Sequence, residues 1–116
     1  MSKRSLISFQ RRAPDLITEE LVAVLSSKKW FEFKPLFTIL LGKLRARNAA
    51  SGGEEMLRFR AYEKLQRLVN QGAVTRTAGV AKKYKGVAAR LTVLKTEMKA
   101  LRVDWNKRLI AKAARA

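Results

Sequence analysis

The 116-residue chain has no cysteine and no histidine, only two prolines, and nine Asp and Glu against 26 Lys and Arg. Each shortage excludes something. Without thiol or imidazole there is no disulfide, no cysteine nucleophile, no histidine general base and no zinc site with nitrogen or sulfur ligands. Carboxylate, lysine or hydroxyl chemistry is left. The adjacent pairs Glu19/Glu20 and Glu54/Glu55 stand at apparent helix starts, where capping and the helix dipole account for them without a site. Neither Gly52-Gly53 nor Gly79 has the Gly-Lys-Ser/Thr ending of a phosphate loop. The chain is therefore read as a non-enzyme, with no catalytic residue, no metal and no cofactor. Its longest strongly apolar stretch, around Leu36 to Leu41, falls far short of the roughly 20 residues of a membrane span. No membrane partner is expected, and the protein is read as soluble.

What the chain has in excess is positive charge, a formal +17 at pH 7. With 47% apolar residues it can still fill a modest core, and its length suits one domain of roughly 100 residues. A field of this sign attracts polyanions, nucleic acid above all. The charge is unevenly spread. Up to Glu55 there are 10 basic and 6 acidic residues, net +4; beyond it there are 16 and 3, net +13. The first 14 residues, MSKRSLISFQRRAP, hold four bases and no acid. They read as a flexible basic arm, with a mitochondrial targeting segment as the alternative.

Hydrophobic spacing gives a coarse order of elements. Leu16, Ile17, Leu21, Val24 and Leu25 fall along one side of a helix from about Asp15 to Ser26. Alternating aromatics and charges over Lys29 to Lys34, including Trp30, Phe31 and Phe33, predict a short strand, with packing expected for at least two of the three rings. Pro35 suits the first turn of a second, strongly apolar helix through Leu44. Ser51 and Glu54 fit a capping box for a third helix, about Gly52 to Gln71, closed by Gly72. Leu57, Ala61, Leu65, Leu68 and Val69 form its apolar side. Phe59, Arg60, Glu63, Gln66, Arg67 and Asn70 form the other, with Phe59 expected against the arm or the last helix. Strands are predicted at Ala73 to Thr77 and Gly86 to Leu91, around a turn and the basic cluster Lys82, Lys83, Tyr84, Lys85. From Thr92 onward no helix breaker occurs, and Leu91, Leu94, Met98, Leu101 and Trp105 make the stripe of a long basic helix. That stripe is expected to anchor on the body; a homodimer through residues 91–105 is the alternative.

Helix, short strand, helix, turn, helix and basic hairpin resemble the winged helix-turn-helix family over Asp15 to Leu91. The most specific stretch is Tyr62 to Arg76, which looks like the end of a recognition helix followed by the glycine before the first wing strand. Two features depart from the commonest pattern: a long, Gly-rich turn before the third helix and a lysine-rich wing. The fold expected is mainly α with a small β-hairpin: a basic arm at 1–14, a winged helix-turn-helix domain at 15–91, and a basic C-terminal helix at 92–116. The resemblance implies that the third helix enters the major groove of double-stranded DNA, with Arg60, Gln66, Arg67 and Asn70 toward base edges. It implies that Arg76, Lys82, Lys83 and Lys85 meet phosphates and that Tyr84 packs on sugar or on the wing itself. The arm, with Lys3, Arg4, Arg11 and Arg12, would lie in a neighbouring groove.

The leading expectation is thus a DNA-binding transcription regulator or nucleoid-associated protein, in the cytoplasm, nucleoid or nucleus. Two alternatives stand beside it. A charge of +17 on so short a chain, with basic ends, is also similar to ribosomal and other structural RNA-binding proteins, which need no regular groove. A protein-interaction or dimerisation module is the third class.

Overall fold

A computed structural model describes residues 14–115. The expected arm therefore lies, apart from Pro14, outside the described residues. In chain order the elements are α1 (Leu16–Leu25), β1 (Phe31–Glu32), α2 (Phe33–Ala46), α3 (Glu54–Asn70), β2 (Val74–Arg76), β3 (Lys83–Gly86) and α4 (Ala88–Arg115). The architecture is α+β: mainly helical, with one three-stranded antiparallel sheet in the order β1-β3-β2. No helix among the described residues is long and apolar enough to cross a membrane.

Helix α1 starts because Asp15 caps it. The carboxylate accepts from the backbone N–H of Ile17 at 3.1 Å and of Thr18 at 3.2 Å, satisfying donors that have no partner within the helix. The same carboxylate pairs with Lys64 and so ties α1 to α3. One turn later, Glu19 accepts from Arg47 at 3.3 Å and from Arg102 at 2.7 Å, and Glu20 accepts from Arg47 at 2.7 Å. The three acids of α1 and its cap thereby reach α3, the α2–α3 turn and α4. Beneath them Leu21, Val22 and Leu25 are fully buried against Leu36, Leu40 and Leu44 of α2 and Leu65 of α3.

Four expectations change in detail. The strand foreseen at Lys29 to Lys34 contracts to Phe31–Glu32, because α2 begins at Phe33. Pro35 still lies in its first turn, where a missing N–H costs no helical hydrogen bond. Ser51 does not cap α3. Gly52 and Gly53 both take positive φ, Gly53 is the cap residue, and Glu54 turns to Arg45 and Arg58 instead. The returning strand is Lys83–Gly86 rather than Gly86 to Leu91, and α4 starts at Ala88, four residues ahead of the expected Thr92. Good helix formers, Ala88 and Ala89, follow Val87, whose carbonyl accepts from Leu91 at 2.9 Å in the first turn. The stripe of α4 lies on the body as expected, with Leu91, Met98 and Leu101 buried, Leu94 packed against the core and Trp105 half-buried. The 91–105 stripe is therefore not the free face that a homodimer through it requires.

The sheet joins this body at one tight point. Gly86 faces Leu25 so closely that an added Cβ would lie 2.5 Å from the Leu25 carbonyl oxygen and overlap a Leu91 methyl. Gly86→Ala should lower stability by about 1–3 kcal/mol through overpacking, read as a drop in the urea midpoint. Asp15 generates a second prediction. Burial alone would push its carboxyl up, but the hydrogen bond and charge of Lys64, with the bonds from Thr18, outweigh burial and hold it below its ordinary value. Its contribution is complete above the unfolded-state value of about 4 and disappears as pH falls through the lower folded value. Asp15→Ala should cost about 0.5–2 kcal/mol at pH 7 and flatten the acid limb of a stability–pH profile measured by urea unfolding.

Candidate nucleic-acid interface

The outward side of α3 follows from its inward side. Leu57, Ala61, Leu65 and Leu68 are buried at spacings of three and four, so the residues half a turn away meet solvent. Arg60, Glu63, Arg67 and Asn70 lie on that outer side, as expected, with Arg60, Arg67 and Asn70 exposed. Arg60, Lys64 and Arg67 edge a shallow groove of about 440 Å³ between α3, the start of α1 and the turn at residues 49–51. The charge along α3 is graded. Its first turn holds Glu54 and Glu55, followed by exposed Met56 and by Phe59, which is 60% exposed and so is not packed away against α4. The cations begin at Arg58 and continue toward the C-terminal end.

Two of the residues foreseen as contacts do something else. Tyr84 is 2% exposed and belongs to the core, so the wing-packing alternative describes it and sugar contact does not. Its hydroxyl accepts from Gln66 Nε2 at 3.2 Å, and Gln66 Oε1 accepts from Arg76 Nη1 at 2.9 Å. With both ends of its amide engaged, Gln66 is a brace between the core and the wing rather than a free bidentate partner for adenine. The brace fixes one end of the Arg76 guanidinium, which keeps its other N–H groups for an outside acceptor.

The wing is the β2–β3 hairpin. Val74 pairs with Gly86, Thr75 with Lys85 and Arg76 with Tyr84. At its tip, Thr77 N–H donates to the Lys83 carbonyl at 3.0 Å, Lys83 N–H donates to Thr77 Oγ1 at 2.9 Å, and Gly79 makes the turn at φ 108°. Lys82 and Lys83 are exposed, and Lys85 is half-buried. Among the described residues, none of Arg76, Lys82, Lys83 and Lys85 is ion-paired to a carboxylate, and neither is Arg60 or Arg67. At the far end of α3, Arg90 of α4 donates to the Gln71 carbonyl at 2.7 Å.

Trp30 is the residue whose position the spacing argument leaves open. Phe31 and Phe33 pack partly against the core, and Phe33 stacks on Phe37 at 6.0 Å and meets Tyr62 edge-on at 5.4 Å. Trp30 is instead 45% exposed, with the Lys85 ammonium 5.6 Å from its ring centroid. The signal for this is the period-2 alternation itself, which puts Trp30 and Phe31 on opposite faces. The chain matches no protein-family model, no curated protein and no solved structure.

Proposed function

We propose that the chain is a winged helix-turn-helix protein that binds double-stranded DNA mainly through phosphates, as a nucleoid-associated protein more than as a sequence-reading regulator. The strand order β1-β3-β2, with the first strand between the first two helices and the other two forming a hairpin after the third, supports the winged-helix part. The observation that carries the binding part is the set of cations without carboxylate partners on the wing, Arg76, Lys82, Lys83 and Lys85, beside Arg60 and Arg67 on α3. A cation already paired inside the protein has little left to offer a phosphate; these keep their full charge for it.

The grading along α3 supports phosphate contact over base reading. Helix-turn-helix proteins usually present the N-terminal residues of the third helix to base edges. Here the exposed positions are Glu54, Glu55, Met56, Arg58 and Phe59; Arg58 is taken up by Glu54, and Glu55 faces repulsion from a phosphate-lined groove. Arg60, Arg67 and Asn70 sit further along, where they can reach the backbone flanking the groove. In this reading the chain works wherever chromosomal DNA is.

A structural RNA-binding protein is a second reading, favoured by one observation. Helix α4 is 28 residues long, about 42 Å at the helical rise, and from Asn106 to Ala114 it is exposed. That end carries Lys107, Arg108 and Lys112, the form of a basic extension that lies along folded RNA.

With about 6 to 10 phosphate contacts, affinity for a mixed-sequence duplex should fall roughly 10³- to 10⁵-fold between about 50 and 200 mM salt. Changing Lys82, Lys83 and Lys85 together to Ala should weaken binding to all duplex sequences alike and reduce the salt slope by about one for each phosphate no longer neutralised. Fluorescence anisotropy with two unrelated duplexes reads both effects. No binding at low salt refutes the duplex reading, and strong preference for one duplex refutes its phosphate-driven form.

A further inference from the structure

The outer face of the sheet sets two of the wing lysines beside an exposed aromatic side chain that the duplex reading does not use. Along β3, Tyr84 and Gly86 turn into the core, so Lys83 and Lys85 turn outward. The register pairs Phe31 with Tyr84 and Glu32 with Lys83, and one further step brings Trp30 beside Lys85. Thr75 flanks Lys85 from β2. An indole ring with a cation against it thus lies on a strand-built surface, and the exposed lysines Lys28 and Lys29 lead into it.

We propose that this face binds single-stranded nucleic acid, with Trp30 stacking on an unpaired base and Lys83 and Lys85 holding the flanking phosphates. The occupant follows from the two kinds of group present. The lysines call for an anion, and Glu32 is the one carboxylate among the paired strand residues of this face. The ring calls for a planar apolar partner at the spacing of the cations, and a nucleobase between phosphates supplies both. An acidic peptide would use the lysines and leave the indole unmatched. A base inside a duplex has both faces covered by its neighbours, so the partner must be unpaired. Every base has a π-face, so the site should be tolerant of sequence. Lys85 serves twice: its cation–π contact orients the indole, and its charge faces the phosphate path.

The proposal shares Lys83 and Lys85 with the duplex reading, but Trp30 belongs to it alone, so the two can fail separately. The chain has two tryptophans, Trp30 and Trp105. In full-length protein carrying Trp105→Phe, Trp30 is the sole indole, and its fluorescence should be quenched on titration with oligothymidylate of about 12 nucleotides, a length that single-strand grooves engage. Oligouridylate of the same length should quench as well, since the stacking site is tolerant of the base. Trp30→Ala should weaken single-strand binding by about 5- to 100-fold, Trp30→Phe should retain most of it, and neither should change duplex affinity. Single-strand binding without quenching, no single-strand binding at all, or equal affinity in Trp30→Ala would each overturn the proposal. If Trp30→Ala fails to fold, the quenching and Trp30→Phe decide. Duplex binding abolished while quenching persists would refute the duplex reading and leave this one standing.

Discussion

A chain with a formal charge of +17 must hold its cations near one another in order to fold, and it has nine carboxylates with which to do so. Where those carboxylates go decides the rest of the structure. Three of them, Asp15, Glu19 and Glu20, sit at one end of a ten-residue helix and clasp Lys64, Arg47 and Arg102 from three other parts of the chain. Pairs between exposed groups are worth little singly, about 0–1 kcal/mol, and these are only partly shielded. Their effect lies in their placement. Each one discharges a cation at a junction between elements, so that repulsion is removed where packing is required and left where the surface faces outward. The apolar stripe of α1 then closes on α2 and α3 without opposition.

The same allocation gives the outer surface its polarity. At the start of α3, Glu54 is taken up by Arg45 and Arg58, while Arg60, Arg67 and the wing residues are left unneutralised. The unneutralised cations thus lie along the later part of α3 and on the wing, and not at the start of α3. The internal chain of donors from Arg76 through Gln66 to Tyr84 joins this surface to the core. Any partner that pulls on Arg76 therefore pulls on a buried ring.

Much of this is legible in the sequence, and the limits have physical causes. Asp15 and the 3.6-residue spacing after it announce α1, Pro35 announces the early part of α2, and the Leu-rich period ending at Gly72 announces α3. Those signals are local. Hydrophobic patterning misplaces the strand from Lys83 to Gly86 because its inward residues are a tyrosine and a glycine, which look no different from a loop. What fixes Gly86 is the Leu25 carbonyl, 61 positions away in the chain. For the interface, the exposed positions of Arg60, Arg67 and Asn70 follow from helical period alone. Gln66 and Tyr84 look just as polar and surface-seeking in sequence, and only their hydrogen bonds to each other and to Arg76 reveal that they are engaged internally. Ser51 and Glu54 have the right spacing for a cap, yet two left-handed glycines between them turn the chain away.

The contact between Arg90 and the Gln71 carbonyl has a further meaning for the basic surface. A helix ends with unpaired carbonyls that together amount to about half a negative charge. On α3 that end lies next to Asn70 and just before the wing, in the middle of a cationic field. Left bare, it would act there as a small anion. The guanidinium of Arg90, supplied by the following helix, more than offsets it, so the step from α3 to the hairpin stays on the cationic side.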